Sequence, residues 1–164
     1  MHQPSLHFTP LAREHLPLLW AWHSEPHVQE HYSLRTWTLE EIENKYGPRL
    51  ETPSSVLGYV VLVDKEPIGY LQYYRWAEHP YPDQELDQAI VDHAAGIDYF
   101  IGSPQHVGQG LGSKMISAFI EEVLPEEYSY VIADPAVSNL VSIAALKRCG
   151  FKPHRVIQST NALG

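Results

Sequence analysis

Runs of apolar and β-branched residues alternate with polar, turn-forming segments along the 164-residue chain. Such runs, when bounded by Gly, Pro, Asn, Asp or Ser, predict β-strands. The runs are 6–9, 56–63, 68–76, 97–101, 128–133 and 151–158. The turn Asp64-Lys65-Glu66-Pro67 joins the second run to the third, so these two are expected to form an antiparallel hairpin.

Apolar residues with helical spacing predict four helices between these strands. The helices are expected over 14–23, 38–49, 113–123 and 138–147. Thr38 and Glu41 have the spacing of a capping box, Ser138 is a candidate N-cap, and Gly150 is a C-terminal signal. The order β-α-α-β-β-β-α-β-α-β predicts an α/β fold, with a mixed sheet and helices on both of its faces.

The segment 96–112 joins a strand to a helix through a turn with glycines at 108, 110 and 112. Such a turn leaves backbone N–H groups unpaired at the positive end of the helix dipole, where phosphate oxygens bind. A P-loop requires Lys and then Ser or Thr after its last glycine, but here Ser113 precedes Lys114. A dinucleotide fingerprint requires glycines at its first, third and sixth positions, and here the third of them falls at the fifth.

Composition predicts one domain over residues 1–164, with apolar residues making up 44% of the chain. No run is long or apolar enough to span a bilayer, and no signal peptide is evident. Cys149 is the single cysteine, which excludes an internal disulfide and favours a reducing compartment. We therefore expect a cytoplasmic protein.

The formal net charge of −9 argues against nucleic acid as the main partner and suits a cationic substrate. No Lys or Arg occurs between Arg75 and Lys114, whereas acidic residues occur repeatedly there. They are Glu78, Asp83, Glu85, Asp87, Asp92 and Asp98. The long segment 77–95 is therefore either a solvated acidic loop or part of a substrate site. Tyr73 could stack on a substrate, although alternation in a strand also explains it.

Ten histidines raise the question of a metal site, since His23, His27 and His31 are spaced four apart. Pro26 interrupts the helix that would align them, and no further ligand has diagnostic spacing. We therefore expect no metal.

The string Gln105-His-Val-Gly108-Gln-Gly110 matches the Q/R-x-x-G-x-G/A signature of the GCN5-related N-acetyltransferases (GNAT). The chain resembles this family over nearly its whole length, and among its members it is most similar to aminoglycoside 6′-N-acetyltransferases. Further stretches carry the resemblance: Glu66-Pro-Ile-Gly-Tyr70, Gly96-Ile-Asp98, Gly108-Gln-Gly-Leu-Gly-Ser-Lys114, Asp134-Pro-Ala-Val-Ser-Asn139 and Cys149-Gly-Phe151. The resemblance implies a twisted, mostly antiparallel mixed sheet and acetyl-CoA as co-substrate.

By this resemblance, the cofactor would be held by the end of a strand, the glycine-rich turn and the head of the next helix. These residues are Ile101, Gln105, His106, Val107, Gly108, Gln109, Gly110, Leu111, Gly112, Ser113 and Asn139. Asp98 resembles the catalytic carboxylate, and Asp134 the carboxylate that binds the amine. Glu85, Asp87 and Tyr73 are further candidates for substrate binding.

A direct transfer needs a base for the ammonium group and a donor for the oxyanion. Asp98 is the expected base, and a strand N–H near Phe100 is the expected donor. The alternative is that Asp98 only orients the substrate or ends the strand.

The chain departs from the family pattern in two places. Many members have a tyrosine that protonates the leaving thiolate, and the matching position is Leu146. Either CoA leaves as the thiolate, water or another group donates the proton, or catalysis is weakened. The residues after Gly150 are too few for the usual terminal hairpin, so a truncated chain, an open sheet edge or a strand from a partner subunit would each explain the C-terminus.

The expected function is acetyl-CoA-dependent N-acetylation of a small cationic amine, with an aminoglycoside as one candidate. The alternatives are a GNAT enzyme that acts on a protein or peptide, a polyamine or a siderophore amine, and an acyl-CoA-binding or sensor domain with little catalysis. We expect a monomer or homodimer with no nucleic-acid or membrane partner.

Overall fold

The computed structural model describes residues 5–79, 81 and 84–157. Within these residues five strands form one sheet in the order β1-β2-β3-β4-β5. They are β1 Leu6–Pro10, β2 Val56–Val63, β3 Glu66–Arg75, β4 Ala94–Ile101 and β5 Tyr130–Ile132. The first four strands pair antiparallel, and β5 pairs parallel to β4. The mixed, mostly antiparallel sheet and the hairpin of β2 with β3 are therefore confirmed.

Helices cover both faces of the sheet, as expected. They are α1 Leu16–His23, α2 Pro26–Val28, α3 Leu39–Tyr46, α4 Gln88–Asp92, α5 Leu111–Glu122 and α6 Leu140–Arg148. A π-helical turn at Gln29–Ser33 and short 3₁₀ turns at Arg13–His15, Gly47–Leu50, Trp76–Glu78 and Pro104–His106 connect the larger elements. None of the described helices is long and apolar enough to cross a membrane.

Side chains alternate between the two faces of each strand, so the sheet separates two clusters of buried residues. On one face Ile97 of β4 packs in the cluster that contains Met115 and Phe119 of α5 and Leu146 of α6. On the other face Phe100 packs with residues of α1 and α3. Asp98 and Phe100 are two positions apart in β4, so the side chain of Asp98 also lies on the face covered by α1 and α3.

His23 ties α1 to α3 inside the second cluster. Its Nδ1 is 2.7 Å from Ser33 Oγ, and its Nε2 is 2.7 Å from Tyr46 Oη. Burial, with smaller contributions from the charges of Lys45 and Arg49, lowers the pKa of His23 to about 3. His23 is therefore a neutral, hydrogen-bonded core residue at physiological pH.

Several element predictions were wrong in detail. Residues 151–157 form no strand, and Gln158 lies outside the described residues. Asn139, and not Ser138, is the N-cap of α6, since its Oδ1 accepts from Ser142 N–H at 3.2 Å. The segment 77–95 contains α4, and its last two residues belong to β4.

β4 and β5 pair over only a short length. The paired residues of β4 are Ala94, Ala95 and Gly96. Beyond Gly96 the two strands share no ladder, while β3 follows β4 to Ile101. The second half of β4 therefore has one edge that no described strand covers, and the acidic Asp98 lies at the start of that stretch.

Candidate active site

The uncovered edge of β4 presents the backbone of alternate residues. The carbonyl of His93 accepts from Tyr130 N–H of β5 at 3.2 Å, and Gly102 N–H donates to Ile68 of β3 at 2.8 Å. Backbone N–H and C=O groups of successive residues point to opposite edges of a strand. Those of the odd-numbered residues of β4, including Tyr99 and Ile101, therefore point to the open edge, as the carbonyl of His93 does. Phe100 has the opposite parity, and a Cβ on Gly69 of β3 would meet its carbonyl oxygen at 2.5 Å. The expected donor at Phe100 thus faces β3, and the N–H groups at the free edge are those of Tyr99 and Ile101.

His27 reaches the same edge from α2. Its Nε2 donates to the Ile101 carbonyl at 2.8 Å, although the two residues are 74 positions apart. Trp22 packs against the adjoining Gly102, where a Cβ would come within 2.1 Å of its ring. The end of β4 is therefore fixed by the α1–α2 layer before the chain enters the glycine-rich turn.

The glycine-rich turn leads directly into α5. Gly108 and Gly110 have φ of +80° and +73°, a conformation that residues with a Cβ rarely adopt. A Cβ at either position would meet no atom within 4 Å, so the surface beside the turn is open. Helix α5 begins at Leu111, so the N–H groups of its first turn, including Gly112 and Ser113, have no partner within the helix. The turn is a suitable cradle for phosphate oxygens.

Side chains within the turn fix its shape. Ser103 Oγ is 2.8 Å from His106 Nδ1, and Gln109 Nε2 donates to the Gln105 carbonyl at 2.6 Å. His106 Nε2 also lies 3.7 Å from a carboxylate oxygen of Glu66 in β3. Gln105, His106 and Gln109 therefore support the loop, while the exposed Val107 projects beside it.

The N-terminus of α6 lies next to β4. Tyr99 of β4 is hydrogen-bonded to Ser142, whose N–H is capped by Asn139. The side-chain oxygen of Asn139 is therefore engaged in capping. Leu146, further along α6, is buried in the core and supplies no acidic proton.

Asp98 is half-buried in the middle of β4, opposite Gln72 of β3. Gln72 Nε2 donates to Asp98 Oδ2 at 2.9 Å. Burial raises the pKa of Asp98, whereas the hydrogen bond from Gln72 and the charges of Arg49 and Lys45 oppose this rise. Asp98 is thus a carboxylate with an increased proton affinity, as a general base requires.

Asp134 follows β5 and is close enough to Asp98 for their charges to interact. Its Oδ2 accepts a hydrogen bond from Tyr81. Desolvation, and after it the charge of Asp98, raise the pKa of Asp134 to about 6, while the bond from Tyr81 opposes this rise. Two carboxylates that repel each other form an attractive site for an ammonium group.

An aromatic wall adjoins the two carboxylates. Tyr74 of β3 stacks on Trp76 with 6.3 Å between ring centroids, and Trp76 packs against Tyr81 at 5.7 Å. Burial, and then the charges of Asp98 and Asp134, raise the pKa of Tyr74, so its phenol stays neutral. Aromatic faces beside carboxylates are suited to a cationic, ring-containing molecule.

The structure does not bring every candidate substrate residue to Asp98. Tyr73 lies on the opposite face of β3, in the core cluster around Phe119. Glu85 is exposed and pairs with Arg155 at 2.6 Å, and Asp87 is exposed ahead of α4. Asp83 lies outside the described residues. The acidic segment 77–95 thus reaches the Asp98–Asp134 pair through the phenol of Tyr81, which donates to Asp134.

Four residues of the site were not assigned to it from the sequence: His27, Arg49, Gln72 and Tyr81. Each acts through a contact with a residue that is distant along the chain. Gln72 meets Asp98 through the pairing of β3 with β4, whose register the sequence did not indicate.

The protein-family model described as the acetyltransferase (GNAT) domain matches residues 12–159 of the chain. The chain belongs to the GNAT acetyltransferase family. It is an N-acetyltransferase of this family, whose acyl donor is acetyl-CoA.

Named relatives agree with this assignment. An aminoglycoside N(6′)-acetyltransferase type 1 of Klebsiella pneumoniae is 29% identical over 148 residues, which is 87% of this chain and 72% of the relative. A kanamycin resistance protein of Rhizobium radiobacter is 30% identical over 79 residues, 48% of this chain and 65% of that protein. The crystal structure of aminoglycoside acetyltransferase AAC(6′)-Ib with coenzyme A and kanamycin superposes with a TM-score of 0.82 at 26% identity, covering 96% of this chain and 90% of that one.

The residues of this GNAT domain fit acetyl-CoA. Gly108 and Gly110 carry positive φ beside open space, and the first turn of α5 presents N–H groups toward the place where a diphosphate would bind. The free edge of β4 offers backbone groups to the amides of an extended arm. Both features follow Asp98 along the chain, from the end of β4 to the start of α5.

Proposed function

We propose that this GNAT enzyme transfers the acetyl group of acetyl-CoA to a primary amine of a small polycationic substrate of the aminoglycoside class. The observation that carries the proposal is the pair Asp98 and Asp134, which adjoins the free edge of β4 and an aromatic wall. The aminoglycoside acetyltransferase names of the relatives support the choice of substrate class.

Asp98 is the proposed base. An alkylammonium has a pKa near 10.4 and is not nucleophilic at neutral pH, so a proton must be removed before attack. Asp98 attracts the cation and accepts this proton directly or through one water. Asp134 holds a second part of the cationic substrate and keeps the reactive amine near Asp98.

Acetyl-CoA supplies the thioester, and the proposed binding residues hold it by its diphosphate and its extended arm. Those residues are Ile101, Gln105, His106, Val107, Gly108, Gln109, Gly110, Leu111, Gly112, Ser113 and Asn139. The N–H of Tyr99 or Ile101 takes the place proposed for that of Phe100, because it faces the open edge and can donate to a developing oxyanion. With Leu146 buried in the core, CoA leaves as the thiolate or takes its proton from water.

The direct test measures release of CoA thiol from acetyl-CoA with a panel of aminoglycosides, polyamines, amino acids, peptides and hydroxylamines. Turnover with aminoglycosides, and product mass increased by one acetyl group, is the expected result. If the enzyme prefers peptides or hydroxylamines, the proposed substrate class is wrong and the proposed reaction, acetyl transfer from acetyl-CoA, is retained. Binding of acetyl-CoA without turnover of any amine would overturn the proposal in favour of an acyl-CoA-binding domain.

The affinity for the cationic substrate is expected to rise with pH through about 6, because Asp134 ionises there and its charge then attracts the ammonium groups. The measurement is KM for an aminoglycoside between pH 5 and 8, compared with the same profile for Asp134→Asn. The variant is expected to have a raised KM and to lose this pH dependence. If the KM of Asp134→Asn still decreases as the pH rises through 6, Asp134 is not the group that attracts the cationic substrate.

A further inference from the structure

The hydrogen bonds behind Asp98 continue into the protein and away from the substrate side. Gln72, whose side chain is buried, stands between Asp98 and two donors. Arg49 Nη1 donates to Gln72 Oε1 at 2.5 Å, and Tyr70 Oη donates to the same oxygen at 2.8 Å. Arg49 Nη1 is also 3.3 Å from Tyr70 Oη.

These contacts fix which way the Gln72 amide points. A guanidinium group can only donate, so the atom that faces Arg49 must be the carbonyl oxygen of the amide. The amide nitrogen must then face Asp98, where its N–H donates to Oδ2. Without Arg49 and Tyr70 the amide could rotate and turn an acceptor toward the carboxylate.

We propose that Gln72 is a positioning residue that holds Asp98 Oδ2 in place for proton transfer, and that Arg49 and Tyr70 set the orientation of its amide. The inference rests on the proposed role of Asp98 as base. It also assigns a function to Arg49, a half-buried cation that would repel a cationic substrate.

Arg49 is well placed for this role. It follows α3 in the Gly47–Leu50 turn, and its guanidinium lies 4.7 Å from the centroid of the Tyr46 ring. The ring and the Gln72 oxygen together compensate a largely buried charge. Arg49 and Lys45 both favour the ionised form of Asp98, which burial and Asp134 disfavour. Arg49 thus orients the carboxylate and supports its charge at the same time.

Several titratable groups surround Asp98 and enter any pH dependence. Apart from phenols, these groups are Arg49 and Lys45 from the α3 side, His79 from the turn after β3 and Asp134 after β5. The phenols that sense its charge are Tyr32, Tyr46, Tyr70, Tyr74 and Tyr99, and the pKa of each is raised above its ordinary value of 10.0. The phenols stay neutral below pH 9. Lys45, whose pKa is lowered to about 8 first by burial and then by Arg49, limits the useful range to pH values well below this pKa.

The test compares Arg49→Met and Gln72→Glu with the wild type. Arg49→Met removes the group that orients the amide, and Gln72→Glu keeps the shape but replaces the donor with an acceptor. Both are expected to reduce kcat by about 10- to 100-fold through misplacement of the base, and to move the acidic limb of the rate profile to higher pH. The affinity for acetyl-CoA, measured by calorimetry, is expected to stay within twofold.

Matched variants separate positioning from general damage to the fold. Arg13→Met removes an exposed arginine of the Arg13–His15 turn and is expected to retain wild-type kcat and pH profile. Arg49→Lys retains the charge and one donor, and is expected to restore part of the lost kcat. A loss of kcat with lowered Tm but an unmoved acidic limb in both Arg49→Met and Gln72→Glu would overturn the proposal.

A direct titration distinguishes this proposal from the proposed function. The ¹³C signal of the Asp98 carboxyl, assigned with Asp98→Asn, is followed with pH in the wild type and in Arg49→Met. A titration that moves to higher pH in the variant, together with the rate profile, supports the network. If the carboxyl titration moves and the rate profile does not, the network stands and Asp98 is not the base. A carboxyl titration that is unchanged in Arg49→Met refutes the network.

Discussion

Replacing Asp98 by asparagine is expected to reduce kcat by about two to four orders of magnitude while leaving the affinity for acetyl-CoA unchanged. The substitution is nearly isosteric, and the Gln72 amide can still donate to the side-chain oxygen that remains. What is lost is the group that accepts the proton of the ammonium. Steady-state kinetics at saturating aminoglycoside, with calorimetry of acetyl-CoA binding, provides the measurement.

Asp92→Asn is the matched control for this substitution. Asp92 is an exposed carboxylate at the end of α4 whose Oδ1 accepts from Gln88 within the same helix, so the variant loses one negative charge six positions before Asp98. It is expected to keep wild-type kcat. If Asp98→Asn also retains full kcat but has a raised KM for the amine, Asp98 orients the substrate and another group or solvent removes the proton.

The parts of the fold that could be predicted are those that a short stretch of chain specifies. The capping box is an example, since Thr38 Oγ1 accepts from Glu41 N–H at 3.1 Å and Glu41 returns the bond at the same distance. The turn before α5 is another, because Gly108 and Gly110 have the positive φ that their residue type permits. In both cases all partners lie within a few residues of one another.

The last strand illustrates where local patterns fail. Residues 151–158 have a composition that suits a strand, but a strand also requires a neighbour with free backbone groups. Instead, residues 151–157 contact the acidic segment 77–95. His154 is hydrogen-bonded to the Gln84 carbonyl at 2.9 Å, and Arg155 pairs with Glu85. Contacts between segments some 70 residues apart therefore decided the conformation.

The candidate site shows the same division. The spacing of glycines indicated the phosphate cradle, and the resemblance indicated Asp98 and Asp134. The supporting contacts could not be predicted, since Gln72 reaches Asp98 across 26 positions and Tyr81 reaches Asp134 across 53. Strand parity explains the placement of Tyr73, because its neighbour Gln72 faces Asp98 and adjacent residues of a strand face opposite sides.

Replacing Gly110 by valine is expected to weaken acetyl-CoA binding by about 10- to 100-fold. Gly110 has φ of +73° and immediately precedes α5. A β-branched residue disfavours this conformation by about 1–2 kcal/mol, so the turn shifts and its N–H groups no longer converge on the diphosphate. Loss of one charge-assisted hydrogen bond, at about 1.5–3 kcal/mol, accounts for a change of this size. Calorimetric titration with acetyl-CoA measures it.

Gly47→Val provides the matched control for the glycine-rich turn. Gly47 has a right-handed backbone with φ of −52°, and a Cβ there would meet no atom within 4 Å. The added side chain is therefore accommodated without strain, away from the turn, and acetyl-CoA affinity is expected to remain that of the wild type. Gly110→Val with wild-type affinity for acetyl-CoA would mean that the diphosphate is bound elsewhere. Equal losses in both variants would instead indicate a general effect on stability, which thermal unfolding of the two proteins would reveal.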